Sequence, residues 1–294
     1  MSEGACTAVL HWALPRLGRR WAGYRKVQRQ VAKRMGRRYR ALGLAGFDAY
    51  RLWLESHPEE WAALDELLDI PISRFCRDRG VFASLEQAVL PALAGAAWEG
   101  ARARIDAWSA GCASGEEPYT LSILWRLRLQ PRFPDLELHI VATDRDPALL
   151  VRAREGCYDA SSLKELPEDL REAAFDRSNE EWCLRPEFRT VEFVQQDLRE
   201  TMPAGPFDLV LCRNVVATYY APDVQRTILA GIAGRMRSGG ALVLGSHETL
   251  PDGLVGFVPW PGARGVFRRS GPSPQHSPSA TFSLQATSKG NRVL

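Results

Sequence analysis

"WSAGCASGEEPYTL", residues 108–121, sets two glycines, Gly111 and Gly115, and two acids, Glu116 and Glu117, between a run that reads as a strand and one that reads as a helix. A turn in that position usually cradles a phosphate on backbone amides at the helix N-terminus. A P-loop needs G-x-x-x-x-G-K-[ST], and a dinucleotide turn prefers G-x-G-x-x-G. Here three residues separate the glycines, and Glu-Glu follows the second. Carboxylates repel the phosphates of a nucleotide and attract a cationic ligand. A nucleoside cofactor that carries positive charge and no phosphate is S-adenosylmethionine.

Outward from this turn the pattern alternates. "RIDAWSAG" (104–111) reads as a strand, "EEPYTLSILWRLRL" (116–129) as a helix, "LELHIVATD" (136–144) as a strand and "PALLVRARE" (147–155) as a helix. "FDLVLCRN" (207–214) and "GGALVLGS" (239–246) add two strands, with "PDVQRTILAGIAGRM" (222–236) a helix between them. Such alternation predicts a parallel sheet with crossover helices, an α/β fold whose ligand sits at the carboxyl ends of the strands. Asp144 ends the second strand, where an acid accepts hydrogen bonds from ribose hydroxyls. Asp197, in "VEFVQQDL" (191–198), follows the next apolar run and is placed to accept from an adenine amino group. Taken singly, either acid also reads as a helix N-cap or a turn residue. With the Gly-Glu-Glu turn beside them, they read as one cofactor site.

Ahead of the sheet, residues 8 to about 95 show only helical periodicity, and residues 1–95 are read as an all-helical domain. "FDAYRLWLESHPEEWAALDELLDI" (47–70) sets Phe47, Tyr50, Leu54, Leu64 and Leu68 at core spacing. No acid occurs between Glu3 and Asp48, while Arg16 to Arg40 hold eleven Lys and Arg residues. In "RKVQRQVAKRMGRRYRALGL" (25–44), Val27, Val31, Met35 and Leu42 mark the apolar side and leave Arg34 and Arg38 on exposed faces. That face reads as a solvated basic helix or as a surface for an acidic partner, with nucleic acid a third possibility. Residues 96–270 form the sheet domain, interrupted at 159–190 by short alternating runs that suit two or three strands. Residues 271–294, rich in Ser and Pro, read as a disordered tail.

The whole chain has 294 residues, 45% hydrophobic and 25% charged, with a net charge of +3. That length and composition support a buried core divided between two domains. No run approaches about 18 uninterrupted apolar residues, and the N-terminus lacks the apolar core of a signal peptide, so a cytoplasmic protein is expected. The six cysteines form no C-x-x-C pair and are expected to be reduced thiols packed as small hydrophobes. His11, His57, His139, His247 and His276 are too dispersed for a metal cluster, and no metal is expected.

On these motifs the chain resembles the CheR-type chemotaxis receptor methyltransferases, which transfer methyl from S-adenosylmethionine to receptor glutamates. The resemblance covers roughly residues 12–270 and rests on "WSAGCASGEEPYTL", "ATDRDPALLVRAREGCY" (142–158), "FDLVLCRN" and "SGGALVLGSHE" (238–248), in the family's order. "RRYRALGLAGFDAYRLWLES" (37–56) and "ISRFCRD" (72–78) resemble its helical domain, which closes over the cofactor and turns a basic helix toward the substrate. The implied fold is a Rossmann-like class I methyltransferase sheet with a small inserted β-subdomain behind a helical N-terminal domain. In that family the insert can grip a receptor tail.

Carried over residue by residue, the resemblance implies that Ser73, Arg77, Ala110, Glu117, Asp144, Asp197, Leu198 and Asn214 surround the cofactor. Arg77, with the basic-helix residues Arg34 and Arg38, guides an acidic substrate. The implied partner is the cytoplasmic domain of a chemoreceptor or another acidic protein, with no nucleic acid and no membrane insertion. The family's catalytic tyrosine spacing falls on Thr218 in "CRNVVATYYAP" (212–222), with Tyr219 one residue later, and Tyr219 is the catalytic candidate beside Arg77. Pro71 replaces a family asparagine, Cys76 replaces a phenylalanine, and "GSHE" (245–248) exchanges the family's His and Ser. A related methyltransferase on another acceptor, or a cofactor-binding regulatory module without catalysis, fits the same motifs.

Overall fold

The computed structural model describes residues 3–271. The tail read from residue 271, with His276, lies outside these residues apart from Gly271. The runs that flank the glycine turn pair as β1 (Arg104–Ala110) and β2 (Glu137–Asp144), parallel and in register from Arg104 against Glu137 to Ala110 against Thr143. Three short strands follow, β3 (Cys157–Asp159), β4 (Phe175–Ser178) and β5 (Glu181–Leu184), then β6 (Val191–Gln195), β7 (Phe207–Leu211) and β8 (Met236–Val243). The hairpin β9 (Phe257–Pro259) and β10 (Val266–Arg269) closes the series. The main sheet runs β6-β2-β1-β7-β8-β10-β9, with β10 antiparallel to both neighbours. The order reverses between β1 and β7. That is the topological switch point at which an open α/β sheet binds its ligand.

The central strands read as apolar runs because both faces are covered. Ile105 and Ala107 of β1 pack with Leu209 and Leu211 of β7 on one side, and Trp108 and Ala110 pack with Val210, Ile228 and Ile232 on the other. The alternation along β1 is the two-residue period of a strand. Continuous helical structure over Arg79–Glu99 is, by length and composition, apolar enough to cross a membrane. Its Val81, Phe82, Leu85, Leu90, Leu93 and Ala97 are instead buried against Ile105 and Leu209, so it is a core helix of the sheet domain. By packing, the division between the two units therefore falls near residue 70, earlier than the 95 read from periodicity.

The N-terminal unit gathers the helices Glu3–Ala13, Gln28–Ala41, Phe47–Ser56 and Glu60–Leu67 around Leu10, Tyr24, Met35, Tyr50 and Leu64. The expected insert is a separate antiparallel sheet in the order β3-β5-β4. It leans on the cofactor side of the sheet domain through Tyr158, whose hydroxyl donates to Ser114 O at 2.7 Å, and through edge-on contacts of Phe75 with Tyr158 and Phe175. The cysteine reading needs one correction. Cys157 of β3 stands directly across from Cys183 of β5, and the two form a disulfide. Cys6, Cys76, Cys112 and Cys212 are buried free thiols.

Candidate active site

At the carboxyl ends of β1, β2 and β7 the glycine turn folds back over the sheet. Gly111 N–H and Cys112 N–H both donate to Thr143 O, at 2.8 and 2.9 Å. Gly111 adopts φ +81, and a Cβ there would meet Val215 Cγ2 at 2.7 Å, so the loop after β7 comes within van der Waals contact of the turn only because this residue is glycine. Gly115, at φ +90, then starts the helix Glu116–Leu124. A cavity opens above the turn, floored by Gly111 to Ala113 and walled by Asp144, Leu198 and Asn214. The segment Asp69–Arg77 of the chain ahead of the sheet covers it.

The two acids of the turn part company. Glu116 is buried away from the cavity, hydrogen-bonded to Ser73 and Ser114 with its Oε2 unpartnered, and burial holds its carboxyl above the usual range. Glu117 lines the cavity, its Oε1 accepting from Ser109 Oγ at 2.7 Å and its Oε2 from Arg213 Nη1 at 3.0 Å. Asp144 accepts Ala113 N–H at 2.8 Å and Asp146 N–H at 3.0 Å. Burial raises its pKa, and these two amides pull it part of the way back. Asp69 and Asp146 are further acids of the lining.

Of the other residues read from sequence, Ser73, Arg77, Asp197, Leu198 and Asn214 line the same cavity, and Ala110 is buried beneath the turn at the end of β1. Asn214 adopts a left-handed φ of 57, and its N–H donates to Glu248 Oε2 at 2.8 Å. Asp197 is already engaged by Arg199, through its backbone N–H at 2.9 Å and its guanidinium at 2.6 Å. Burial pushes the Asp197 carboxyl up, but Arg199 outweighs that and holds it below the usual range. Gln196, its neighbour, lines the cavity with a buried, unpartnered Oε1.

Tyr219 lines the cavity and Thr218 does not. The Thr218 hydroxyl donates to Glu248 Oε1, and its carbonyl accepts Arg20 Nε at 3.1 Å, so this side chain is bound into the wall behind. The ring of Tyr219 lies 5.1 Å from that of Tyr24, and burial raises its phenol pKa, with the nearby charge of Arg77 opposing. Arg34 and Arg38 are turned onto their own domain. Arg38 forks onto Glu60 at 2.8 and 2.6 Å, and Arg34 donates to the carbonyls of Leu67 and Asp69. The faces these two leave to solvent carry Arg25, Arg29, Lys33, Arg37 and Arg40.

Sequence reading missed the cluster that joins the two units. Arg145, next to Asp144, donates to Asp65 Oδ2 at 2.6 Å and to Asp69, while Arg199, two residues past Asp197, reaches Asp65 Oδ2 at 2.8 Å. Arg19 meets Asp65 at 2.7 Å and Asp69 at 2.9 Å. Burial disfavours the Asp65 carboxylate, yet Arg19, Arg199 and Arg145 together hold its pKa at about 2. The signal available in the sequence was an arginine one residue after Asp144 and two after Asp197, in "DRD" and "QDLR".

Five carboxylates, those of Asp69, Glu117, Asp144, Asp146 and Asp197, line the cavity with four arginines, of which Arg145 and Arg213 are themselves bound to acids, and this acid-rich lining over a glycine floor suits a cationic nucleoside. Among the described residues no His, Cys, Asp and Glu cluster could hold a metal. A family model described as the CheR methyltransferase, SAM binding domain, matches residues 72–258. A chemotaxis protein methyltransferase of Listeria innocua is 36% identical over 191 residues, covering 64% of this chain and 70% of the relative. A probable chemotaxis protein methyltransferase of Rhizobium etli is 36% identical over 229 residues, 74% of this chain and 83% of its own length. Among solved structures, SAM-bound CalS10, an amino pentose methyltransferase from Micromonospora echinaspora, aligns over 56% of this chain and 52% of its own, at 20% identity and a TM-score of 0.31.

Proposed function

The chain belongs to the CheR methyltransferase family, and from that premise we propose that this S-adenosylmethionine-dependent methyltransferase esterifies glutamate side chains on the cytoplasmic domain of a chemoreceptor. The observation that carries the acceptor reading is that Arg77 and Tyr219 line the same cavity as Asp144 and Glu117, beneath a unit whose outer helix is basic and free of acids. A cytoplasmic site of action follows from such an acceptor.

When bound, S-adenosylmethionine supplies a methyl group on a cationic sulfur, the electrophile of the reaction. Asp144 would accept from its ribose hydroxyls and Glu117 would offer a carboxylate to its ammonium, while Ser73, Arg77, Ala110, Asp197, Leu198 and Asn214 would complete the enclosure. The acceptor glutamate is ionised at neutral pH, with a reference pKa of about 4.3, so no general base is asked of the chain. What the chain contributes is alignment to about 3 Å and exclusion of water. Arg77 suits the alignment, since a planar guanidinium pairs a carboxylate through two hydrogen bonds. We assign to the Tyr219 hydroxyl the orienting of the attacking oxygen, since Tyr219 lines the cavity and Thr218 does not. Arg34 and Arg38 support the basic face by fixing its helix, and the exposed Arg25, Arg29, Lys33, Arg37 and Arg40 meet the acidic partner.

The test is incubation with S-adenosylmethionine and a purified chemoreceptor cytoplasmic fragment, followed by peptide mapping by mass spectrometry. Methyl groups are expected on glutamate side chains and lost when those glutamates are changed to glutamine. Cofactor binding without modification of any glutamate would favour a regulatory module, and methylation of a different acceptor would replace the receptor reading.

A further inference from the structure

Arg213 is the one arginine of "FDLVLCRN", and neither the turn acids nor the acceptor residues account for it. Its guanidinium is buried at 2% side-chain exposure at the edge of the cavity, stacked on Phe82 with 5.0 Å from Cζ to the ring centroid. Nη1 donates to Glu117 Oε2 at 3.0 Å. Nη2 donates to Asp78 Oδ2 at 2.9 Å and to the backbone carbonyl of Arg77 at 2.6 Å. Nε is buried without a partner. With both terminal nitrogens committed to protein groups, Arg213 is not itself a receptor for the acceptor carboxylate.

Its partners are the residues that need aiming. Glu117 has one oxygen held by Ser109 and the other by Arg213, so the plane of its carboxylate is fixed from two sides. Arg77 lies between Cys76 and Asp78, which adopt left-handed φ values of 54 and 63. Such backbone costs energy in a non-glycine residue and persists only where surrounding contacts over-determine it. Here the pins are Thr120 Oγ1, which accepts Cys76 N–H at 3.1 Å, and Arg213, which takes the Arg77 carbonyl and the Asp78 carboxylate on one nitrogen. Ser246, in the exchanged "GSHE" element, lies close enough to Asp78 to help hold its carboxyl below the usual range.

We propose that Arg213 is a positioning residue for methyl transfer: its fork ties the cofactor-facing carboxylate of Glu117 to the Arg77 segment, so that methyl donor and acceptor are aligned by one buried guanidinium. The role rests on the methyl-transfer reading above and assigns a geometric task to a residue of the cavity wall whose terminal nitrogens are both committed to protein groups. A lysine keeps the charge but cannot span Glu117, Asp78 and the Arg77 carbonyl together.

The experiment compares wild type, Arg213→Lys and Asp78→Asn. Each is titrated calorimetrically with S-adenosylhomocysteine and assayed for turnover on a receptor fragment, with kcat expressed per cofactor-binding site. Arg213→Lys is expected to weaken S-adenosylhomocysteine about tenfold, because a charge-assisted bond to Glu117 is lost. Its kcat per site should fall about 100-fold, the cost of roughly 1 Å of misalignment, with acceptor KM within about threefold. Asp78→Asn leaves the Glu117 bond intact and loosens Arg77. Its S-adenosylhomocysteine affinity should stay within about twofold while kcat falls at least tenfold.

A merely structural role would lower the melting temperature and the fraction of binding-competent sites, yet leave per-site kcat and affinity unchanged. That result overturns the proposal, as does full recovery of kcat in Arg213→Lys. If Arg213→Lys does not fold, Asp78→Asn decides. The titration needs no acceptor, so a wild type that binds S-adenosylhomocysteine but methylates no receptor defeats the acceptor reading, and the Arg213→Lys affinity still decides the link to Glu117.

Discussion

Asp144 lines the cavity and holds two backbone amides, one on each oxygen, which leaves each oxygen able to accept again. The carboxylate therefore shapes the glycine turn and, in the proposed function, accepts from the ribose. Asp144→Ala is expected to weaken S-adenosylmethionine and S-adenosylhomocysteine by about 1.5–3 kcal/mol, the loss of hydrogen bonds to a charged acceptor. Calorimetry reads this, and unchanged affinity would remove Asp144 from the cofactor site. Tyr219 and Thr218 call for opposite expectations. Tyr219→Phe should lower kcat while leaving cofactor affinity nearly constant if, as proposed, its hydroxyl acts at the reacting centre alone. Thr218→Val should leave turnover within about threefold and cost about 1 kcal/mol of stability, since the hydroxyl it loses is bonded to Glu248. Reversed effects in steady-state kinetics would return the catalytic role to position 218. Sequence reading left these neighbours unresolved because a short helix, Val216–Tyr219, decides which side chain enters the cavity, and four residues carry no detectable period.

Between elements, the cofactor loops are fastened to the helical unit by charge. Arg145 and Arg199 leave the loops that carry Asp144 and Asp197 and converge on Asp65, which Arg19 also grips. The folded carboxyl of Asp65 lies near 2, against 3.8 for the ordinary group. A depressed acid pKa contributes stability that is complete above the unfolded value and is lost as pH falls through the folded one. Asp65→Asn should thus cost about 3 kcal/mol at pH 7, as expected when a buried charge partner is removed. It should also flatten the loss of stability between about pH 4 and pH 2. Denaturant melts across that window are the check, and parallel curves for variant and wild type would mean that the cluster is held by other groups.

The basic helix makes a contrasting case. Replacing Arg25, Lys33 and Arg37 with Ala should raise the acceptor's apparent KM and flatten its salt dependence, with cofactor affinity unchanged, because exposed charge acts on encounter. Arg38→Ala should instead lower the melting temperature, because it leaves Glu60, 4% exposed, without its partner. If the triple variant's KM and salt slope match wild type, the acceptor docks elsewhere. Helical periodicity put Arg34 and Arg38 on exposed faces and could not tell Arg38 from Arg37, since the acid that claims Arg38 is 22 residues away.

Across the whole molecule, the legible parts were those with long-range uniformity. β1 and β7 are buried on both faces, and the apolar runs that burial requires stand out without any partner being known. β9 and β10 are three and four residues long with half of their side chains exposed, too short and mixed to register as strands. The disulfide joins residues 26 apart that meet only because β3 and β5 pair, and spacing alone does not reveal such a meeting. The unit boundary was misplaced for a related reason: the helix Arg79–Glu99 has helical period like its predecessors, and only its packing shows that it serves the sheet.

The same distinction bears on function. Asp144 and Glu117 were visible because one ends a strand and the other lies in the first turn of a helix, whereas Arg213 and Asp65 act through partners far along the chain.

The claim that an acid-lined crevice delivers a methyl group to a receptor carboxylate is tested most directly by the chemical lability of the product. Purified protein is incubated with methyl-tritiated S-adenosylmethionine and a chemoreceptor cytoplasmic fragment, the protein is precipitated, and volatile methanol released by base is counted. Carboxyl esters release methanol, whereas methylated amines and phenols do not. The account predicts base-volatile counts that require the receptor's acidic side chains and fall with Asp144→Ala and Tyr219→Phe. Incorporation that is stable to base, or none at all from a protein that binds S-adenosylhomocysteine, would contradict it.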